Sequence, residues 1–159
     1  MKPVRHELRG RMRLEVRAGE VVARRQAENI VLRAGAQLVA GLAAGVAGLH
    51  PINRLQVGFG TEVAAVEATA LTGPSGTIPA EALRAPIAPG AFGVDTSTAG
   101  VVKLVITTPF NPTVDLDAVS EAGLLSDDTL YNQVVFEPIT LKAGQEISLF
   151  WEIDFPYGH

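Results

Sequence analysis

The stretch SEAGLLSDDTLYNQVVFEPITLKAGQEISLFWEIDF, residues 120–155, decides the fold of this 159-residue chain. Three apolar runs cover or adjoin it, and each is bounded by residues that favour turns. Residues 119–125 precede Ser-Asp-Asp, residues 131–136 precede Glu-Pro, and residues 146–155 follow Lys-Ala-Gly. Short apolar runs between turn signals predict three β-strands.

The third run has the clearest pattern in the chain. Two sets of residues alternate along it: Ile147, Leu149, Trp151, Ile153 and Phe155, then Glu146, Ser148, Phe150, Glu152 and Asp154. Alternation with a period of two places the apolar set on one face of a strand and the mostly polar set on the other. We therefore expect a half-buried strand with the only tryptophan in the core.

The rest of the chain predicts more strands. Residues 11–17 and 20–26 flank Ala18-Gly19 and predict a β-hairpin. Further strands are expected at residues 52–57, 82–87 and 101–107, the last ended by Pro109 and Pro112. Residues 61–71 fit a short helix or an irregular crossing. The predicted fold class is therefore mainly β: one antiparallel, jelly-roll-like β-sandwich domain over residues 1–159.

Two segments fall outside this sandwich. Residues 1–10 predict an extended N-terminal arm, which is either loose or grips a neighbouring molecule. Residues 72–100 are dense in Gly, Pro, Ser and Thr and predict a long loop or arm. Long loops in compact domains usually have a function or contact a partner.

One helix is expected within residues 30–49, an apolar stretch long enough for a membrane span. Arg33, Gln37 and four glycines argue against a span. Leu38, Val39, Leu42 and Val46 instead make one apolar stripe at helical spacing, which predicts a helix at about 34–44 packed against the sheet. We expect Asn29 to cap this helix. Gly41 and Gly45 would permit close approach to the sheet or to a symmetry mate.

The charges divide along the chain. Residues 1–60 carry a formal charge of +6 and residues 61–159 carry −10, within a net charge of −4. Three interpretations are open: a basic half that binds nucleic acid, opposite surfaces that join subunits, or basic and acidic strands paired in one sheet. The predicted hairpin exposes Arg11, Arg13, Arg17, Arg24 and Arg25. No aromatic residues interleave with these arginines, so a solvated strand face is favoured over nucleic-acid binding.

Residues with catalytic or ligating chemistry are sparse. The chain has no cysteine, which excludes disulfides and thiolate chemistry. His6, His50 and His159 have no metal-ligand spacing and no evident nucleophile beside them. Gly58-Phe59-Gly60 lacks the third glycine of a dinucleotide fingerprint. The carboxylates from Asp115 onward lack the glycine and glutamate of a calcium loop. We therefore predict no catalytic, cofactor-binding or metal site.

The ordered features resemble a group of small structural proteins of tailed bacteriophages and prophages. The pieces are ENIV (28–31) before an Ala/Gly-rich helix, NRLQVGFGT (53–61), ATAL (68–71), EAGL (121–124), VFEPI (135–139) and ISLFWEI (147–153). The chain departs from the pattern at Leu125, where an aromatic is usual, and at Thr140-Leu141, which separate Pro-Ile from Lys142. Members include tail-fibre, baseplate, neck and head-decoration proteins.

This resemblance implies a non-enzymatic virion protein, assembled in the host cytoplasm as a symmetric homo-oligomer on a capsid, neck or tail. Its partners would be other virion subunits, without a small-molecule substrate, nucleic acid or membrane. The alternative is a carbohydrate- or receptor-binding module of a tail fibre or baseplate, using residues 90–98 and 126–131. A hydrolase would need two titratable groups in one cleft. The predicted assembly contacts are Arg11, Arg13, Arg17, Arg24, Arg25, Phe92, Asp127 and Asp128.

Overall fold

The computed structural model describes residues 8–71, 73 and 77–158. The described chain is mainly β, with 52% of its residues in strands and one α-helix, α1 (Arg33–Ala43). The strands are β1 (Arg9–Ala18), β2 (Glu20–Val31), β3 (Arg54–Gly58), β4 (Arg84–Pro86), β5 (Phe92–Asp95), β6 (Val101–Phe110), β7 (Leu116–Ser126), β8 (Thr129–Leu130), β9 (Asn132–Leu141) and β10 (Glu146–Pro156). Short 3-10 helices precede β4 and β5, at Ala80–Leu83 and Pro89–Ala91.

All strand pairs are antiparallel and belong to one sheet. Nine strands follow each other in the order β4-β3-β7-β9-β2-β1-β10-β6-β5, and β8 pairs with β7 alone. The sheet curls into a half-barrel. The predicted antiparallel, mainly β class is confirmed, as are the β1–β2 hairpin at Gly19 and the strand at residues 146–155.

The core lies on the inner, concave face of the curled sheet. Ile147, Leu149, Trp151 and Ile153 are each 1–2% exposed, so the alternation in β10 predicted its buried face correctly. Because the sheet curls, this face of β10 and its neighbours β1 and β6 shares one cluster of buried side chains with β3, β7 and β9. Burial of this apolar surface is the main contribution to the stability of the fold.

Helix α1 packs on the sheet, as predicted, but its contacts differ from those expected. Asn29 lies in β2 and does not cap the helix; the N-cap residue is Leu32, which forms no side-chain cap. The close approach occurs at Gly35, whose position leaves no room for a Cβ beside the Tyr131 carbonyl oxygen. Gly41 instead faces Leu49 of its own chain. Gly45, at φ +69°, follows the helix, and no atom lies in the space that a Cβ there would occupy. Gly41 and Gly45 therefore do not approach the sheet, and their approach to a symmetry mate stays a prediction.

Two strands continue past prolines that were expected to end them. Pro109 lies inside β6, opposite Ser148, beyond the point where β5 stops pairing with β6. Among the described residues this part of β6 pairs with β10 alone, and prolines within sheets are tolerated on such edge segments. Pro138 lies inside β9, where three residues of β9 (136–138) lie opposite the single residue Ser120 of β7, between the Glu121 and Val119 pairs. Such a bulge accommodates the lost donor.

Residues 72–100 are not one loop. They contain β4 and β5, which form the two edges of the sheet, and only residues 84–86 of the strand expected at 82–87 are extended. Within this segment, residues 72 and 74–76 lie outside the described residues. Of the expected arm at 1–10, Arg9 and Gly10 belong to β1 and residues 1–7 lie outside the described residues.

Residues 61–71 cross the sheet without regular structure. Gln133 holds this crossing: its Oε1 accepts from the Ala64 N–H at 2.8 Å, and its Nε2 donates to Glu121 at 2.8 Å. Glu121 is fully buried and also accepts from the Gly73 N–H. None of the described helices is both long and apolar enough to cross a membrane.

Candidate assembly and binding surfaces

Three of the predicted contact arginines converge on one buried carboxylate. Glu15 lies on the outer face of β1, yet its side chain is only 4% exposed. Its oxygens lie 2.9 Å from Arg13 Nε, 2.6 Å from Arg17 Nη2 and 3.1 Å from Arg24 Nη2. The arginines cover the glutamate and share its charge, so their first role is within the fold.

The other two arginines are also engaged within the chain. Arg11 forms ion pairs with Glu152 at 3.0 Å and Asp154 at 3.5 Å, both on the adjacent β10. Arg25 donates from Nε to the Glu137 carbonyl and from Nη2 to the Pro138 carbonyl, which joins β2 to the bulged part of β9. Basic and acidic strands therefore pair within one sheet, as one of the three charge interpretations predicted.

The outer face also contains a depression of about 510 Å³ across β2, β1, β10 and β6. Two rows of paired residues cross it in register. One row is Glu28, Arg11, Glu152 and Val105; the other is Gln26, Arg13, Phe150 and Thr107. The Arg13 guanidinium lies 4.3 Å from the centre of the Phe150 ring. Sequence reasoning missed this feature, although Phe150 was the one aromatic residue in an otherwise polar set.

Asp127 and Asp128 form the two-residue turn between β7 and β8, and they bind different partners. Asp127 accepts from His50 Nδ1 at 2.7 Å and Asn53 Nδ2 at 2.9 Å. These hydrogen bonds lower the pKa of Asp127 below its ordinary value of 3.8, and the bond from His50 has the larger effect. Asp128 lies 2.8 Å from Arg84 Nη1. Both predicted contact residues therefore tie the turn to the segments before β3 and in β4.

The His50–Asp127 pair borders a cavity of about 250 Å³ beneath α1. The sequence predicts no nucleophile beside a histidine and does not indicate this carboxylate partner, since only the fold brings residues so distant in sequence together. Hydrogen bonding from Nδ1 to a carboxylate orients an imidazole as in hydrolytic triads. The adjacent Ser126 hydroxyl, however, donates to the His50 main-chain carbonyl instead of meeting the imidazole.

Phe92 lies at the base of an apolar groove of about 300 Å³ between α1 and the inner face of β5, β6 and β10. The lining side chains are almost all apolar; those on the sheet side include Phe92, Leu104, Ile153 and Phe155. Val94 of β5 is 70% exposed, and Leu42, on the helix side, is 38% exposed. Tyr131 also lines the groove, but it is 1% exposed, and burial raises its pKa to about 12.

The carboxylates that suggested a calcium loop do not meet. Asp115 accepts from the Ala143 N–H and lies 3.7 Å from Lys142 Nζ, whereas Glu121 is buried with Gln133. Within residues 8–71, 73 and 77–158, no group of three or more potential ligands could hold a metal ion.

Comparison with known proteins gives no family. No family model, curated protein or solved structure matches the chain.

Proposed function

We propose that this chain is a non-enzymatic structural protein that assembles as a symmetric homo-oligomer in the particle of a tailed phage or phage-like system. The observation that carries the assembly is the apolar groove beside the open edge of β5. The proposed partners are further copies of the chain and other capsid, neck or tail subunits, and the proposed location is the virion, after assembly in the host cytoplasm.

The groove has the composition of a contact surface. Large apolar side chains exposed together mark interaction sites on soluble proteins. Here exposed Leu42 lines the groove, and exposed Val94 pairs in register with Leu104, which also lines it. β5 pairs only with β6 among the described residues, so its other edge presents unpaired backbone groups. Open edges pair with other chains unless they are protected. Covering both features with a second copy would bury the apolar rim.

The test is the mass of the protein in solution. Size-exclusion chromatography with light scattering should show an oligomer for the wild type and a smaller species for Val94→Lys, because a lysine there would be desolvated in the contact. Val63→Lys is the control, since Val63 is 68% exposed on the crossing segment, away from the groove. A monomeric wild type, or an oligomer that Val94→Lys leaves intact, would refute this contact.

The assignment to a phage particle is supported by the ordered sequence resemblance between residues 28 and 153. Its test is a low-resolution map of intact particles, or co-sedimentation of the chain with them. A chain absent from the particles would refute it.

We also propose the jelly-roll-like sandwich as the finer description of the fold. Its two layers would have to arise from opposite halves of the curled sheet.

The receptor-binding alternative needed accessible aromatic residues and carboxylates near residues 90–98 and 126–131. Tyr131 is buried and Phe92 is half-buried, which weakens a binding site on those loops. A hydrolase is favoured only by the His50–Asp127 pair, whose neighbouring serine is directed elsewhere.

A further inference from the structure

We propose that the depression on the outer face, crossing β2, β1, β10 and β6, binds a neutral saccharide. This site lies on the face opposite to the apolar groove and does not depend on the proposed assembly. Its volume of about 510 Å³ is within the range of small-molecule sites, roughly 300–1,000 Å³.

The floor of the depression offers a flat surface. Phe150 lies half-buried in the middle of the outer face, and the Arg13 guanidinium lies over its ring at 4.3 Å. The side chain of Arg13 is 42% exposed, so this stack is accessible from solvent. A pyranose ring has a flat face of C–H groups that can pack against such a planar surface, as apolar groups pack on aromatic rings.

Directional polar groups surround this floor. Gln26, Glu28 and Thr107 are exposed, and within the described part of the chain their side chains form no hydrogen bond or ion pair. They offer an amide, a carboxylate and a hydroxyl, which together can accept from and donate to sugar hydroxyls. Glu28 and Gln26 are two residues apart on β2, so both project from the same face of the strand.

The charge of the depression selects against ionic ligands. Its charged side chains are two arginines, Arg11 and Arg13, and two glutamates, Glu28 and Glu152. Arg11 is already paired with Glu152 at 3.0 Å, and Arg13 lies beside buried Glu15. A strongly anionic ligand would meet Glu28 and Glu152, and a cation would meet the arginines. A neutral ligand with many hydroxyl groups is repelled by neither the glutamates nor the arginines.

The experiment is a titration of the whole chain with neutral tetrasaccharides of glucose and of N-acetylglucosamine, with a heparin tetrasaccharide as the anionic comparator. Amide resonances are followed by NMR and affinity by calorimetry. We expect a neutral saccharide to bind and to shift the amides of Gln26, Thr107 and Phe150. Glu28→Gln and Gln26→Ala should each weaken binding about tenfold, the loss expected for a hydrogen bond involving a charged or directional group.

Matched controls exist on the same protein. Glu20→Gln changes an exposed glutamate on the same strand outside the depression, and Gln37→Ala removes an exposed amide from α1. Both should bind as the wild type does. Phe150→Ala should abolish binding. If Phe150→Ala does not fold, the Glu28→Gln and Gln26→Ala substitutions, which are at exposed positions, still test the proposal. Val94→Lys should retain binding, which separates this proposal from the assembly.

Four results would overturn the proposal. Three of them are the absence of binding by all neutral saccharides, shifts that map away from the depression, and preferential binding of the heparin fragment at this site. Equal affinity of wild type and Glu28→Gln, with Gln26→Ala also unaffected, would likewise exclude it.

Discussion

At the scale of single residues, Trp151 joins several strands through one side chain. It is 2% exposed, it lies opposite Met12 of β1 and Ile106 of β6, and its Nε1 donates to Asn29 Oδ1 of β2 at 3.1 Å. Trp151→Ala should lower the free energy of unfolding by about 3–5 kcal/mol, measured by urea denaturation, because it empties a large core volume. Folding and assembly should be lost together.

Trp151→Phe is the matched control for this change. It keeps an aromatic ring in the core but removes part of the buried volume and the hydrogen bond to Asn29, whose Oδ1 still faces Asn132 Nδ2 at 3.3 Å. We expect a loss of about 1–2 kcal/mol. A Trp151→Ala protein that stays folded and loses only a ligand would show that this face is a binding surface.

Asp127 gives a pH-dependent contribution to stability. Its folded pKa is lowered, so its stabilising effect is present above the ordinary value of 3.8 and is lost as the pH falls through the lowered folded pKa. The difference in unfolding free energy between wild type and Asp127→Asn should therefore shrink on acidification below 3.8. Asparagine is a suitable replacement because the residue has φ +52°, which Asn tolerates.

The cause of this shift can be tested directly. Carboxyl NMR titration should show the pKa of Asp127 rising in His50→Ala and, by less, in Asn53→Ala, since the His50 hydrogen bond is the larger cause. An unchanged pKa in both variants would show that the observed contacts do not persist in solution.

At the scale of elements, the packing of α1 against the sheet depends on one glycine. A Cβ at Gly35 would overlap the Tyr131 carbonyl, which is backbone and cannot move aside. Alanine gains about 1 kcal/mol over glycine in helix propensity, but the steric clash should cost more than this gain. Gly35→Ala should therefore lower the free energy of unfolding. The check is thermal or urea unfolding.

Gly41→Ala is the comparison within the same helix. Its Cβ would lie 2.5 Å from Leu49 Cδ1, the end of a side chain that is 36% exposed and free to rotate. This change should be neutral or stabilising by up to about 1 kcal/mol. Equal effects of the two substitutions would mean that helix propensity, not the contact with Tyr131, sets the outcome.

The elements also show which parts of the fold local sequence can specify. The turn residues Ala18-Gly19 predicted β2 and the β-branched residues of 101–107 predicted β6. Alternation predicted β1 and β10, because alternation records which face of a strand is buried. It could not predict that β4 and β5 form the sheet edges, since strand order depends on pairing between distant segments. Proline signals failed at Pro109 and Pro138 because an open strand side and a bulge, both set by tertiary structure, remove the cost of the missing donor.

The candidate surfaces were harder to predict than the elements. The five arginines were correctly placed on a β-hairpin, but the buried Glu15 that three of them share was not foreseen. Glu15 had been assigned to the exposed set by alternation alone, and only the side chains that fold over it make it buried. Likewise, His50 and Asp127 are 77 residues apart, so their hydrogen bond has no local signal.

At the scale of the whole molecule, the division of charge along the sequence is largely neutralised by folding. β1, the most basic strand, lies beside β10, which supplies Glu152 and Asp154 to Arg11. Lys103 of β6 also approaches Glu152, at 3.8 Å. The outer face is therefore a mixture of both signs and lacks the uniform positive patch that binds phosphate backbones.

This charge arrangement predicts weak binding to nucleic acid. In a fluorescence-anisotropy titration at about 150 mM salt, labelled double-stranded DNA should bind no more tightly than the weak end of non-specific association, a Kd of about 10⁻⁴ M or weaker. Replacing the acidic groups on either side of Arg11, as in a Glu28→Lys, Glu152→Lys double variant, should create a continuous basic row across β2, β1 and β10. This variant should bind DNA more tightly and with a steep salt dependence, since each added phosphate contact releases counterions. Tight, salt-sensitive binding by the wild type would instead show that the arginines leave their carboxylate partners for phosphate, and would restore nucleic acid as a partner.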